Sequence, residues 1–258
     1  MSLLEVDGVT KKFGGLTAVN HVTFAVEEGQ ICSVIGPNGA GKSTLFKLIS
    51  SFLIPTSGEV RFDGRSVSGL SPHKVARLGV VRTFQETTVF KEMTALENVM
   101  VAHQLGLQAG PFQMFLGTGR ARRDAARIRD SAAEILDYLG LGHVKDERAV
   151  NLPHGYLRAL GIAIAMAAQP RLLLLDEPFA GMNPDETDRA VEMVEGIRRR
   201  GITVLLVEHD MRAVMRISDR IVVISFGSKI AEGRPERIRN DEAVIAAYLG
   251  QDDEELGH

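Results

Sequence analysis

A single cysteine, Cys32, stands in 258 residues, so no intrachain disulfide can form. It lies in the apolar run from Ile31 to Ile35, where a buried structural thiol is expected. Long apolar runs are also missing. The longest near-apolar stretch, Ala159 to Ala168, falls well short of the roughly 18 residues that a membrane-spanning helix needs, so the chain is not expected to cross a bilayer by itself. The opening MSLLEVDGVT carries Glu5 and Asp7 and no long apolar stretch, which argues against a secretory signal. Neither sign of charge dominates: 30 Lys and Arg stand against 33 Asp and Glu, a net charge of −3, so no global field favours phosphate backbones or anionic lipid. Internal repeats and low-complexity tracts are absent. His21, His73, His103, His143, His154 and His258 show no metal-ligand spacing. What remains, at 45% hydrophobic and 24% charged residues, is an ordinary globular chain long enough to bury a sizeable core, with the cytosol as its simplest compartment.

The chain's texture changes twice. The runs LLEVDGV, AVNHVTFAV and QICSVIG read as strands separated by Gly and Glu turns. STLFKLISSFL then shows helical apolar spacing and is stopped by Pro55, Ser57 and Gly58, after which EVRFDG and VVRTF read as strands. From Gln85 to about Leu152 strand-like runs vanish. Ala125, Ile128, Ala132, Ile135 and Leu139 recur at helical spacing, with Gly140 placed as a C-cap. RLLLLD and ITVLLVEH are short continuous apolar runs, as in parallel strands buried on both faces. Between them Asn183-Pro184-Asp185-Glu186 spells a helix start with a capping box, and the helix is expected to run to the solvated arginines 198–200. RIVVIS and GSKIAEG read as a final hairpin, EAVIAAYLG as a last helix, and QDDEELGH as a frayed acidic tail. Strands alternating with helices, interrupted by one helical block, predict an α/β protein: a parallel sheet core carrying a helical subdomain.

Gly36-Pro37-Asn38-Gly39-Ala40-Gly41-Lys42-Ser43 fits the pattern G-x-x-x-x-G-K-[ST], after a strand and opening a helix. Glycines let backbone N–H groups point inward at phosphate oxygens, and the helix N-terminus adds favourable potential. Lys42 is suited to neutralising β- and γ-phosphate charge, and the Ser43 hydroxyl is a hard oxygen ligand suited to Mg²⁺. This loop is expected to bind a nucleotide. Asp176, at the end of RLLLLD, is the candidate carboxylate for the metal, and Glu177 the candidate base for a water attacking the γ-phosphate. His209, at the end of ITVLLVEH, and Gln85, after VVRTF, are ambiguous taken singly.

Together these residues resemble the ATP-binding subunits of ABC transporters over nearly the whole chain. GPNGAGKST, from Gly36 through Thr44, looks like the Walker A loop and Gln85 like the Q-loop glutamine. RLLLLDEP looks like Walker B with its catalytic glutamate, AGMNP like the D-loop, and VEHDM like the H-loop with His209. Phe13 stands where the family places an aromatic against adenine, for which stacking is the physical reason. The wording KKFGGLTAVN, RTFQETTVFKEMTALENVMVA and AAYLG is similar to the importer ATPases for branched-chain amino acids. The resemblance implies a P-loop NTPase with a RecA-like parallel core and an antiparallel β subdomain (1–85 and 165–235), a helical subdomain (86–164), a C-terminal helix (236–250) and the tail 251–258. It also implies ATP and Mg²⁺ as cofactors, with Ser43, Gln85 and Asp176 around the metal and Glu177, His209 and Gln85 at the reacting phosphate.

One stretch departs from the family pattern. Where a signature close to Leu-Ser-Gly-Gly-Gln belongs, the chain has Leu152-Pro153-His154-Gly155-Tyr156. Pro153 supplies neither hydroxyl nor N–H, and Gly155 alone keeps the small residue needed for close approach to a nucleotide on an opposite subunit. An intact Walker set beside this signature suggests pairing with a different ATPase, so that two unequal composite sites form; a homodimer is the other arrangement. The partners implied are transmembrane permease subunits, a second ATP-binding subunit and, indirectly, a solute-binding protein, at the cytoplasmic face of the membrane. Pro111 to Leu116 is a candidate permease or membrane contact, or a loop folded back on its subdomain. A lipid or lipopolysaccharide exporter ATPase is the alternative. A soluble repair or translation ATPase would be expected to carry coiled coils, zinc cysteines, a second cassette or a basic face, and no nucleic-acid partner is expected.

Overall fold

The two N-terminal runs are longer strands than their apolar cores suggest, because the polar stretch KKFGGL continues the ladder into a tight turn where Phe13 faces Leu16. The computed structural model describes residues 2–83, 89–106 and 119–255. In chain order the first elements are β1 (Ser2–Phe13), β2 (Leu16–Glu27), β3 (Ile31–Ile35), α1 (Lys42–Ile49), β4 (Ser57–Phe62), β5 (Arg65–Ser66), α2 (Pro72–Leu78) and β6 (Val80–Arg82). Helices α3 (Ala95–Gly106), α4 (Gly119–Tyr138) and α5 (His154–Ala167) follow. The chain then alternates through β7 (Leu172–Asp176), α6 (Pro184–Arg199), β8 (Thr203–Val207), α7 (Met211–Ile217), β9 (Arg220–Ser225) and β10 (Ser228–Gly233), ending in α8 (Pro235–Arg239) and α9 (Glu242–Glu255).

Two compact units result, residues 1–80 with 171–258, and residues 81–170. In the first, an antiparallel sheet in the order β2-β1-β4-β5 accompanies a second sheet in which β10, β9, β3, β8 and β7 follow one another. Strands β9, β3, β8 and β7 are mutually parallel, and β10 closes the edge antiparallel to β9. Every residue of β3 and β8 is buried, as their unbroken apolar runs require of a sheet covered on both faces. Leu45, Phe46, Leu48 and Ile49 of α1 share one core with Val34, Leu174 and Leu205 of the parallel sheet and with Val6, Phe24 and Phe62 of the antiparallel one. Cys32 lies in this core fully buried, and burial pushes its thiol up to about 12.

Helix α1 ends four residues before its apolar spacing does. The Ser50 hydroxyl donates to the Phe46 carbonyl at 2.6 Å, and Ser51 takes the left-handed region at φ 56°, so the chain turns away at that point. Helix α6 begins as its sequence dictates: Asn183 Oδ1 accepts the Glu186 N–H and Glu186 Oε2 accepts the Asn183 N–H, both at 3.0 Å. Asn183→Ala is expected to cost about 1 kcal/mol of stability, readable as a lowered urea midpoint with an unchanged slope. At the other end of the chain, Gln251 and the acidic residues 252–255 continue α9 instead of fraying, since extending a nucleated helix costs little and no proline interrupts it.

The second unit is helical. Helix α4 ends on Gly140 at φ 74°, with the Leu141 N–H reaching the Leu136 carbonyl at 2.7 Å, as a left-handed C-cap requires. Its buried face, Ala132, Ile135 and Leu136, is the stripe that the helical spacing predicts. Asn98 is buried in α3, its amide donating to the carbonyls of Phe90 at 3.1 Å and Thr94 at 2.9 Å while its Oδ1 accepts the Phe90 N–H. The segment entering the helix is thereby fixed. Among the described residues no helix is long and apolar enough to cross a membrane.

Candidate functional site

Strand register brings the sequence motifs to one edge. Val34 of β3 lies opposite Val207 of β8, and Val207 lies opposite Asp176 of β7. The three parallel strands therefore end level. The chain leaves them as the loop from Gly36, the pair Asp176-Glu177, and Glu208-His209, at the carboxyl edge where α/β proteins place ligands.

The loop between β3 and α1 depends on two glycines in particular. A Cβ on Gly36, whose φ is 152°, would run into the Ile224 carbonyl oxygen, and one on Gly41, at φ 98°, would meet the Ala18 carbonyl oxygen. Both glycines let distant backbone approach, and the Gly227 N–H donates to the Ala40 carbonyl at 3.0 Å. Lys42 opens α1, largely buried, with its ammonium donating to the carbonyls of Gly36 at 2.6 Å and Pro37 at 2.8 Å. Burial holds Lys42 below the usual lysine range, while Glu177 and Asp176 act on it in the opposite sense. Cation and carboxylates thus share one electrostatic neighbourhood. Ser43 follows on the first turn, exposed, with Thr44 half-buried behind it.

Asp176 closes β7. Glu177 sits in the left-handed region at φ 49°, its N–H donating to the Val207 carbonyl at 2.9 Å. His209 lies two residues beyond the end of β8, with its side chain 58% exposed. Phe13 is exposed at the β1–β2 turn with the Lys11 ammonium 5.3 Å from its ring centre. That ammonium is anchored by donating to the Ile54 carbonyl at 2.7 Å. Gln85 and the stretch Pro111–Leu116 lie outside the described residues.

In the helical unit Pro153 precedes α5 without a side-chain cap, Gly155 is exposed, and a Cβ there would meet nothing. The Tyr156 ring packs edge-on against His143, centroids 5.5 Å apart. Gly155 therefore keeps an open approach at the start of the helix, and Tyr156 is drawn aside against its own unit.

The sequence family described as ABC transporter matches residues 19–180. The chain belongs to it. A second family, branched-chain amino acid ATP-binding cassette transporter, matches residues 228–254 of this ABC ATPase. The high-affinity branched-chain amino acid transport ATP-binding protein BraF of Pseudomonas aeruginosa is 48% identical, over 96% of this chain and 98% of that protein. The lipopolysaccharide export system ATP-binding protein LptB of Haemophilus influenzae is more distant, 31% identical over 97% and 98%. The solved ADP conformation of an ATP-binding cassette of an ABC transporter superposes with a TM-score of 0.84 at 31% identity, covering 97% of this chain and 99% of that one. The fold is the ABC ATPase fold, and the protein is an ATP-binding ATPase of the transport family.

Two parts of this ABC ATPase site are not predicted by motif spacing. The tip of the β9–β10 hairpin touches the phosphate loop through Gly227, a contact between residues far apart in the chain. Glu208 is fully buried at the sheet edge, accepting the Phe179 N–H at 2.6 Å and the His209 N–H at 3.0 Å. Burial pushes its carboxyl above the usual range, opposed by those N–H groups. The available signal was a lone charge at the end of the apolar run ITVLLV.

Proposed function

We propose that the chain is the ATP-hydrolysing subunit of an importer for branched-chain amino acids, working at the cytoplasmic face of the membrane on separate permease subunits. The observation that carries this reading is the near-full-length identity with BraF, and the match of residues 228–254 to the branched-chain cassette family supports it. The lower identity to LptB weighs against the exporter alternative.

In this reading the loop from Gly36 through Gly41, with Pro37, Asn38, Gly39 and Ala40 between, wraps the phosphates in backbone N–H groups. Lys42 supplies positive charge beside the β- and γ-phosphates, and Phe13 stacks on the adenine. Thr44 stands beside Ser43 on the first turn of α1, within the phosphate-binding set. The donors fit Mg²⁺. Ser43 and Asp176 offer hard oxygens, and no group of three His, Cys, Asp or Glu among the described residues forms a protein cage, which suits an ion that keeps water and phosphate ligands. Gln85 completes that set in the same reading. Bound Mg²⁺ would neutralise charge on the phosphate oxygens. Glu177 accepts the proton of the attacking water, and His209 holds the γ-phosphate.

Two cassettes close head to tail over ATP. Gly155 lets the start of α5 approach the partner's nucleotide, but Pro153 provides no donor there, so the composite site it completes is the slower one. Pairing with a related, different ATPase follows from that inequality, and closure and reopening move the permease. A solute-binding protein outside the membrane delivers the amino acid.

Tagged purification from native membranes tests this. Two multi-spanning permeases with a second related ATPase are expected, and proteoliposomes of that complex, supplied with its solute-binding protein, should accumulate leucine only with ATP and Mg²⁺. Recovery of one self-paired ATPase with exporter-type subunits would move the reading to lipid export. Recovery with soluble partners alone would overturn transport and leave the ATPase standing.

A further inference from the structure

We infer that Glu208 is a positioning residue for hydrolysis, one buried carboxylate that sets both the backbone behind Glu177 and the peptide that carries His209. The inference rests on the assignment of hydrolysis to Glu177 and His209 made above. Glu208 directly follows the fully buried strand β8 and has no solvent exposure. A carboxylate placed there persists only if its oxygens are filled, since an unpaired buried charge is costly. Its two oxygens are filled by different segments. Oε1 accepts the Phe179 N–H at 2.6 Å, whereas Oε2 accepts the His209 N–H at 3.0 Å and lies 3.7 Å from His209 Nδ1.

The first of these bonds reaches Glu177 through a short, stiff path. Phe179 is separated from Glu177 only by Pro178, whose ring fixes φ and which brings no N–H of its own. On its other side Glu177 is tied to β8 by the bond from its N–H to the Val207 carbonyl. Glu177 is therefore held between consecutive residues of one strand end, by the Val207 carbonyl before it and the Glu208 carboxylate after it. Its left-handed φ of 49° is unfavourable for a side chain with a Cβ and persists only when the surroundings over-determine it. Glu208 is the polar anchor that does so on the C-terminal side. The same carboxylate fixes the peptide that carries His209, so the two residues facing the γ-phosphate are set from one point.

Chemistry separates this role from general packing. A carboxylate has two accepting oxygens, one for each segment, and a glutamine of the same shape has one. Glu208→Gln therefore keeps the volume and a single bond, and releases either the Phe179 or the His209 peptide. In the full transporter complex, Glu208→Gln is expected to lower kcat by about 30-fold, in the range that an ångström of misplacement costs, with the KM for ATP and the affinity for a fluorescent ATP analogue held within about twofold. A kcat within about twofold of wild type, or a loss of affinity equal to the loss of rate, would overturn the inference. Amide exchange in the unmodified complex gives an independent check: the Phe179 and His209 amides should exchange slowly, and exchange at the rate of exposed loop amides would overturn it even if the glutamine variant failed to fold. Failure of the underlying assignment looks different, because then Glu177→Gln itself would leave turnover intact.

Discussion

Changing Glu177 to glutamine is expected to reduce ATP turnover by about a thousandfold while leaving ATP binding intact. The side chain at this position follows Asp176 at the end of β7, and the backbone is held in its unusual conformation by bonds that involve no atom of the Glu177 side chain. Glutamine preserves size and shape, so the loop should stay where it is, but an amide cannot take the proton that an attacking water must lose. In the proposed reading binding rests on the loop from Gly36 and on Lys42, which the substitution does not touch. The two effects should therefore separate: an unchanged nucleotide affinity beside a collapsed rate, with the ATP-bound pair of cassettes persisting in size-exclusion chromatography. In a complex with a second, different ATPase, loss of most turnover would assign the faster composite site to this chain's own Walker residues. A variant complex that hydrolyses at the wild-type rate would remove Glu177 from that role.

Replacing Lys42 by alanine should weaken ATP binding by about 100-fold, equivalent to about 2.7 kcal/mol. The ammonium is the nearest positive charge that α1 brings to the loop, and charge-assisted bonds to phosphate are the strong class. Desolvation already holds Lys42 below the ordinary lysine range, so its burial carries a cost that alanine relieves. The Gly36 and Pro37 carbonyls lose their donor in return. These opposing changes in the free protein should leave thermal stability nearly level, and the loss will appear in the nucleotide. Calorimetric titration with ATP, ADP and AMP reads it: affinity should fall most for ATP and hardly at all for AMP, which lacks the β- and γ-phosphates assigned to the lysine. Equal losses across the three would mean the loop had collapsed. Arginine should not rescue binding, because a planar guanidinium does not fit a compact pocket built around two carbonyls.

The residues that open and close the phosphate site were legible because each belongs to a local pattern. The run Gly36 to Ser43 carries its own turn chemistry, and the apolar runs before Asp176 and His209 mark strands that a parallel sheet must bury. Asn183 and Glu186 declare a helix start within four residues, and the structure completes both of their bonds. Pairings across distance were not legible. Nothing near Gly41 says that the Ala18 carbonyl lies against it, and nothing near Ala40 points to Gly227. Glu208 follows the same rule: a charge directly after the four apolar residues Val204 to Val207 signals a special environment, but its partner Phe179 belongs to another strand's end. The early stop of α1 turned on a serine hydroxyl competing for a helical carbonyl, which apolar periodicity does not register.

The contact between the β9–β10 turn and the phosphate loop has a consequence for biogenesis. Strand β3 leads into the loop, yet its two ladder partners, β8 and β9, and the Gly227 amide that meets Ala40 all leave the ribosome much later. During synthesis the antiparallel sheet built by β1, β2 and β4 can form from neighbouring residues, whereas β3 waits unpaired through the making of the helical unit. Pairings of high sequence separation are the slow ones, and an unpaired apolar strand is the exposed hazard of such a nascent chain. A chain halted before β9 would hold every residue of the nucleotide loop and still lack the walls that shape it. Competence to bind ATP therefore arrives late, as a sign that the cassette has been completed.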